Sequence, residues 1–334
     1  MRKNKPPRRI TVSAAAALAA SLLLSLTVQS CRHKELCYDH THTATVTVQF
    51  DWSADPGASP SSMSLYLFPD GGGEPVRHDF SDINGGVIEM SSGTWHAVCL
   101  NNDTETLLLD GMESFDSFSI RTREASVLEG MGMTVGGAST MSADIPKATG
   151  TGDQRSVLAP DMLWSDFVKD IVLLEDQTHT LTMYPEKSAV GIHVSIINVE
   201  NIEGLSAVSG SLSGVNSTFD LSHGLPAGEP SIVPFAAVDD GVSTISGDFH
   251  VFGHSGAGDG TPGHMLTLYM ILTDGRQFYA EFDVTGQMHA SEDEHEIYIL
   301  IDGLVIEKST AGSSGGFSPS IDDWLHGEDI SITM

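Results

Sequence analysis

Cys31 is the residue for which the sequence predicts the most definite chemistry. Residues 2–9 carry five basic side chains and no acid, residues 10–28 form an apolar stretch, and Ser30 directly precedes Cys31. A basic start, an apolar segment and a small residue at the cleavage point are typical of a signal peptide. A cysteine directly after that small residue is typical of a thiol that accepts a diacylglycerol. We expect residues 1–30 to be removed and Cys31 to carry a lipid anchor.

Two alternatives to this anchor stay open, because Val28 and Gln29 stand where a lipoprotein signal usually has Leu and a small residue. They are an ordinary signal peptide with an incidental cysteine, and a membrane anchor that is not cleaved. Beyond the leader no stretch approaches the roughly 18 apolar residues of a membrane-spanning helix. We therefore expect a protein that its lipid holds on the outer membrane, at the cell surface.

The two remaining cysteines, Cys37 and Cys99, form an even pair in what would be an oxidising compartment. They either form one disulfide, which ties the N-terminus to a strand, or Cys99 is a buried thiol and Cys37 is unpaired. A disulfide requires Cα atoms within roughly 7 Å of each other, and both arrangements stay open.

Histidines are numerous, and one pair has the spacing of metal ligands. His40 and His42, two positions apart on a strand, would project to one face, and with Asp39 they could bind a divalent ion. The sequence identifies no third or fourth ligand, so surface histidines near the tether are the favoured interpretation. We expect no metal and no other cofactor.

Ser255 lies in a Gly-His-Ser-Gly-Ala run that resembles the nucleophile elbow of hydrolases and follows a predicted strand. An elbow is followed by a helix, which supports its strained turn. Residues 258–263 contain three glycines and Pro262, so they do not form that helix. We interpret the run as a glycine-rich hairpin loop, identify no catalytic residue, and expect no enzymatic activity.

The charge of the chain restricts its partners. The net charge is −29 at pH 7, and it becomes more negative when the basic leader is removed. Such a surface repels the phosphates of nucleic acids, which we therefore exclude as partners. Because the acids are spread along the chain, solubility is a sufficient explanation for them.

The elements that position these residues are predicted to be β-strands. From residue 44 to residue 52 every even position is apolar and every odd position is polar, the pattern of a half-buried strand. The two apolar arms around Asp274-Gly275 predict a β-hairpin. Similar runs predict strands at residues 63–68, 87–90, 95–100, 106–109, 171–174, 178–184, 189–199, 245–252 and 296–306. Helical patterns occur only at residues 160–170 and, as one turn, at 322–325.

Many short strands with few helices predict an all-β protein built from β-sandwiches. The length of the mature chain exceeds that of one usual sandwich, so we predict two in tandem. After the signal peptide come a lipid-anchored tether at residues 31–42, an N-terminal sandwich at 43–185 and a C-terminal sandwich at 186–308. Residues 309–334 comprise a Gly/Ser-rich linker and a final strand.

The final strand alternates, with Ile330, Ile332 and Met334 on one face. On a flexible tether, such a strand either folds back onto its own sheet or pairs with the sheet of another molecule. Folding back is the simpler interpretation.

Three segments resemble a family of uncharacterised lipoproteins from Bacteroidota that is related to fimbrillin-type minor subunits and fimbrial anchors. They are residues 33–52, residues 99–105 and the C-terminal Gly-Gly-Phe-Ser-Pro-Ser-Ile-Asp-Asp-Trp at 315–324. The resemblance implies transthyretin-like sandwiches, export to the outer surface and fimbrial subunits as partners. It also implies assembly by strand donation, for which Ile330, Ile332 and Met334 would suit a donor strand.

Shaft subunits of such fimbriae need an Arg or Lys at which a protease frees an acceptor groove. Arg121, Arg123 and Arg155 are candidates, yet none lies in a clear release position before a strand. We therefore expect a fimbrial anchor or accessory subunit that binds a pilin by β-strand addition. The alternative is a surface module for glycans or host protein, which would use Trp95, Trp164 and the loop at residues 253–263.

Overall fold

A computed structural model describes residues 43–126, 146–254, 263–308 and 325–326. Its elements are almost all strands, which confirms the predicted all-β fold. The first half contains β1 (Thr43–Phe50), β2 (Met63–Pro69), β3 (Val76–Phe80), β4 (Gly85–Ser91), β5 (Gly93–Asn101), β6 (Leu107–Asp110), β7 (Ser119–Thr122), β8 (Arg155–Ser156), β9 (Trp164–Leu173), β10 (Thr178–Met183) and β11 (Glu186–Lys187).

The second half contains β12 (Val190–Glu200), β13 (Leu205–Asp220), β14 (Leu225–Ala236), β15 (Val238–Asp239), β16 (Ile245–Val251), β17 (Met265–Leu272), β18 (Gln277–Asp283), α1 (Thr285–Ala290), β19 (Glu296–Val305) and β20 (Leu325–His326). Short 3₁₀ turns occur at Phe115–Ser117 and Ile202–Gly204. Among the described residues, no helix has the length and apolar character needed to cross a bilayer.

Two sheets enclose the first core. One has the order β10-β1-β4, and the other has the order β11-β9-β5-β2-β3. The even positions of β1 point inward, where Val46 and Val48 pack in one buried cluster with Leu65 and Leu67 of β2. The alternation seen in the sequence is therefore the alternation of buried and exposed faces.

The other face of β2 is also buried, which explains why this strand is apolar at nearly every position. Tyr66 and Phe68 pack against Phe118 with ring centroids 4.9 and 5.2 Å apart. The same cluster contains Phe219 and Phe252 from the second half of the chain. Apolar packing therefore continues from one half of the chain to the other.

The second core lies between the sheet β15-β16-β12-β19 and the large sheet β20-β18-β17-β13-β14-β8. Strands from the first half extend the large sheet, because β7 pairs with β13 and β8 pairs with β14. The described residues from Thr43 onward belong to one compact unit. A division into domains at residues 185 and 186 stays a prediction.

The Asp274-Gly275 hairpin is confirmed. Strands β17 and β18 pair in antiparallel register on either side of it. The backbone N–H of Leu272 donates to Arg276 O at 2.9 Å, and Gly275 has φ +87°. A residue with a Cβ is strained at this φ, which explains the glycine.

The prediction of a helix at residues 160–170 was wrong. Trp164–Leu173 is strand β9, which pairs with β5 on one side and with β11 on the other. The spacing of Met162, Leu163, Phe167 and Val168 imitates a helical face, but pairing on both sides outweighs that local preference. The turn predicted at 322–325 is also wrong at Leu325, which begins β20; residues 322–324 lie outside the described ranges.

Candidate functional site

Most of the site residues predicted from the sequence lie outside the described residues. This applies to Cys31, to Cys37, and to the tail residues Ile330, Ile332 and Met334. Cys99 is described: it lies in β5, its side chain is fully buried, and burial raises the pKa of its thiol well above the ordinary value. Lipidation of Cys31, pairing of Cys37 with Cys99, and strand donation by the tail stay predictions.

The segment just before the tail lies on the chain's own large sheet. Leu325 and His326 form β20, which runs parallel to β18 beside Phe278 and Tyr279. Strand β20 therefore occupies a short part of the outer edge of β18.

Strand β1 is fixed at the centre of its sheet. It is parallel to β10 on one side and antiparallel to β4 on the other. The connection from β1 to β2, residues 51–62, contains no Lys or Arg, and the first such residue after β1 is Arg77 in β3. The connection between these strands therefore offers no basic residue at which cleavage could release β1.

The three basic residues considered as release sites lie within or beside paired strands. Arg121 belongs to β7 and forms an ion pair with Asp110, and Arg123 directly follows β7. Arg155 belongs to β8, with its Nη1 3.7 Å from a carboxylate oxygen of Glu124. None of these positions precedes a strand that cleavage would free from the first sandwich.

The outer edge of β19 is the surface with the features of a pairing site. Among the described residues, β19 is paired on one side only, with the parallel strand β12. Its inward side chains are buried, whereas Tyr298 is 70% exposed and Leu300 is 53% exposed. Exposed apolar side chains on a long edge strand are typical of a surface that pairs with another strand.

A side chain of α1 covers part of this edge. Nε2 of Gln287 donates to Leu300 O at 2.9 Å, and the backbone N–H of Leu300 donates to Oε1 of Gln287 at 2.8 Å. The Gln287 amide thus makes the two hydrogen bonds that the backbone N–H and C=O of one residue on an antiparallel neighbouring strand would make. Because alternate residues of a strand direct their backbone groups to the same side, those of Tyr298 also face this edge.

A charged network lies beside Tyr298 on the same face. His193 of β12 stacks on the Tyr298 ring at 4.6 Å, and its ring nitrogens lie 2.6 Å from Asp248 and 3.0 Å from Glu296. Nζ of Lys187 donates to Glu296 at 2.6 Å. Burial acts to lower the pKa of His193, but its hydrogen bonds to the two carboxylates outweigh burial and raise that pKa.

The tryptophans proposed as a binding surface take part in packing. Trp95 is only 8% exposed, and its Nε1 donates to Ser91 O at 3.1 Å. Nε1 of Trp164 donates to Asp55 at 2.8 Å, and its ring meets Trp52 edge to face at 6.4 Å. Trp95 is therefore buried in the first core and is not available as a binding surface, whereas Trp164 is half-buried beside Trp52.

Two groups of side chains have the composition of metal sites: His254 with His264 and His289, and Asp70 with His96 and Asp170. The sequence analysis identified neither group. Their members come from separate elements and fit no recognised spacing, so only the folded chain brings them together. The pair considered from the sequence, His40 and His42, lies outside the described residues.

Comparisons with known proteins now identify the class. The chain belongs to the family described as "Domain of unknown function (DUF5119)", whose profile matches residues 30–236. A relative from Bacteroides ovatus, named as a proposed fimbrium anchoring subunit, Fim4B, is 19% identical over 204 residues. That match covers 61% of this chain and 54% of the relative, so the chain matches about half of the relative's length.

Solved structures share the fold. A proposed adhesin from Bacteroides ovatus superposes with a TM-score of 0.62 at 17% identity, over 81% of this chain and 94% of that one. A second proposed adhesin from the same species has a TM-score of 0.50 at 8% identity, over 78% of this chain and 88% of that one. The resemblance to Bacteroidota proteins related to fimbrial anchors is confirmed.

Proposed function

We propose that the protein is a non-enzymatic, lipid-anchored subunit of a cell-surface fimbrium, an anchor or accessory subunit that binds a pilin by β-strand addition. The similarity to a fimbrium anchoring subunit and to the fold of adhesins supports the fimbrial role and the surface location. The observation that carries the binding mode is the outer edge of β19, with Tyr298 and Leu300 exposed beside it.

The added strand would come from the pilin and would run along β19. Its backbone would replace the Gln287 amide at Leu300 bond for bond, since that amide makes one donated and one accepted hydrogen bond there. The exchange leaves no backbone group of Leu300 unpaired, so it avoids the roughly 1–3 kcal/mol cost of an unsatisfied buried group. Covering the apolar side chains of Tyr298 and Leu300 then contributes favourable free energy.

The position of β1 supports an anchor or accessory role over a shaft role. A shaft subunit must lose a strand to accept its neighbour, and β1 is paired on both sides without a basic residue in its connection to β2. A subunit that keeps this strand accepts no donor in its place. Such a subunit fits one end of a fibre, where the lipid on Cys31 would hold it to the membrane.

The binding mode can be tested by substituting one exposed residue on each of two edge strands. Leu300→Lys places a charge at the proposed pairing surface, and Val87→Lys places the same charge on β4, where Val87 is 65% exposed. We expect Leu300→Lys to reduce pilin recovery in affinity pull-downs from fimbriated cells by about 30-fold, the size of a binding hot spot. Val87→Lys should leave recovery unchanged.

Three further results of the pull-down are informative. Equal recovery with both variants would contradict pairing at β19. Loss of the pilin on deletion of residues 329–334, with no effect of Leu300→Lys, would assign the contact to the tail as donor. Recovery of glycan or host protein, but no pilin, from cells carrying either variant would favour the surface-module alternative.

A further inference from the structure

Three histidines from distant parts of the chain meet at one end of the second sandwich. His254 follows β16 and forms an isolated bridge with Val215 of β13. His264 directly precedes β17, and His289 lies in α1. We refer to these three side chains as the histidine cluster.

The rings of the histidine cluster face one another closely. Their centroids are 5.0 to 5.2 Å apart, and one nitrogen of each ring lies within 4.8 Å of the other two. Nε2 of His264 is 3.3 Å from Nε2 of His289. A tetrahedral ion with Zn–N bonds of roughly 2.0–2.1 Å separates its ligand nitrogens by about 3.4 Å. The observed distance therefore matches that of two ligands of one ion.

The hydrogen bond on the far side of His264 determines which nitrogen has a lone pair. Nδ1 of His264 lies 3.2 Å from the carbonyl oxygen of Ser213, which only accepts, so Nδ1 must be the donor. In the neutral ring the lone pair is then on Nε2, which faces His289. A backbone carbonyl that fixes the tautomer in this way is the usual outer partner of a metal-binding histidine.

The surroundings hold the His264 ring in place. The side chain of His264 is fully buried. Its backbone N–H donates to Oγ1 of Thr285 at 2.8 Å, and Val284 N–H donates to its carbonyl oxygen at 2.9 Å. These bonds tie the start of β17 to the start of α1, the helix that carries His289.

The second group, around His96, has the opposite hydrogen-bond pattern. The backbone N–H of Asp170 donates to Nδ1 of His96 at 3.2 Å, so in the neutral ring the proton is on Nε2. Nε2 then donates to Asp70 at 3.2 Å. Both ring nitrogens of His96 form ordinary hydrogen bonds, and Asp70 and Asp170 are exposed. The arrangement of this group therefore requires no metal ion.

We propose that His254, His264 and His289 bind a divalent first-row transition metal ion, with Zn²⁺ as the reference ion. Three imidazoles suit Zn²⁺, Cu²⁺ and Ni²⁺ better than Mg²⁺ or Ca²⁺, which take oxygen ligands. The ion would link the end of β16, the start of β17 and α1. The competing explanation is a direct hydrogen bond between His264 and His289.

The test uses the full chain, purified in detergent with an affinity tag that contains no histidine. The protein is dialysed against ZnSO₄, and the bound metal is then measured by mass spectrometry. We expect a single tightly bound Zn²⁺ per chain, and the visible absorption bands of tetrahedral Co²⁺ when CoCl₂ is used instead. MgCl₂ should not compete. His254→Gln and His289→Gln should each weaken binding by about 100-fold, since even the loss of an outer partner costs about 10–100-fold.

His96→Gln is the matched control, because it removes the histidine of the second group and should leave the bound Zn²⁺ in place. Thermal unfolding without metal checks that all variants are folded. The proposal is overturned if the wild-type chain binds no Zn²⁺ tightly. It is also overturned if the folded His254→Gln/His289→Gln double variant binds Zn²⁺ like the wild type, or if His96→Gln abolishes binding.

Discussion

Strands β3 and β19 both lie at the edge of a sheet, but their outer surfaces differ. On β3, Nε of Arg77 donates to Asp79 at 2.8 Å, and Oγ of Ser64 donates to the same carboxylate at 2.6 Å. On β19 the corresponding exposed positions hold Tyr298 and Leu300. The edge strand β3 carries paired charges at these positions, whereas β19 carries two apolar side chains between the acids Glu296 and Asp302.

This difference supports the proposed docking edge on β19. Charged residues on an edge strand oppose the addition of another strand, because pairing would remove them from water. The edge of β19 has no such charge at Tyr298 and Leu300, and a single side chain, Gln287, covers the backbone of Leu300. One side chain is displaced more easily than a strand. The comparison thus favours β19 as the docking edge and β3 as a protected one.

The largest expected effect is on stability, and it differs between the two faces of β19. Ile299 points inward and is 1% exposed in the second core, whereas its neighbour Leu300 points outward. Ile299→Ala should lower the free energy of unfolding by about 2–5 kcal/mol, because it leaves a cavity. Leu300→Ala should change it by about 0.5 kcal/mol or less. Urea denaturation measures both, and a large loss from Leu300→Ala would mean that this residue stabilises the fold.

Removing the Gln287 side chain, which covers the edge of β19, should have a smaller effect than Ile299→Ala. It should strengthen pilin binding, whereas Leu300→Lys should weaken it. Gln287→Ala exposes the N–H and C=O of Leu300, so we expect the pilin to bind more tightly by about 1–2 kcal/mol, because two hydrogen bonds, each worth about 1 kcal/mol net, no longer have to be displaced. Co-purification at graded salt and detergent washing measures this change. Weaker binding by Gln287→Ala would show that Gln287 supports the contact rather than covering it.

The smallest expected effect concerns the charged network beside Tyr298. The pKa of His193 is raised in the folded protein, so its ion pairs contribute fully below the ordinary histidine pKa of about 6.5 and are lost as pH rises through the raised value. Wild type should exceed His193→Gln in stability by at most about 1 kcal/mol near pH 5.5, since solvent screens these half-exposed groups. The gap should close at alkaline pH. A gap that widens with rising pH would contradict the assignment.

The strands that face a core on one side and solvent on the other could be predicted from the sequence. In β1 and β19, alternate side chains face solvent, so apolar and polar residues alternate along the sequence. Strands β13 and β14 were not predicted, because β13 is buried along most of its length and contains two glycines, and β14 contains three prolines and a glycine, which have low strand preference. Gly210 of β13 is required by packing: a Cβ there would lie 2.2 Å from the Phe235 ring.

The candidate sites were less accessible to sequence reasoning than the fold. Leu300 and Gln287 lie 13 residues apart, and their double hydrogen bond depends on how α1 returns to the edge of β19. The histidine cluster likewise forms only because β16, β17 and α1 meet at one end of the sandwich. A local pattern carries none of this information. The lipidation of Cys31 stays a prediction, and it could be made without the fold because a signal peptide is recognised in the linear sequence.

The most direct test of pairing at β19 is photo-crosslinking on intact fimbriated cells. A benzoylphenylalanine at position 300 places the reactive group on the proposed docking edge, and the same residue at position 87 serves as control on β4. We predict crosslinks from position 300 to a fimbrial subunit, mapped by mass spectrometry to one of its strands, and none from position 87. Equal crosslinking from both positions, or none from position 300, would contradict strand addition at β19.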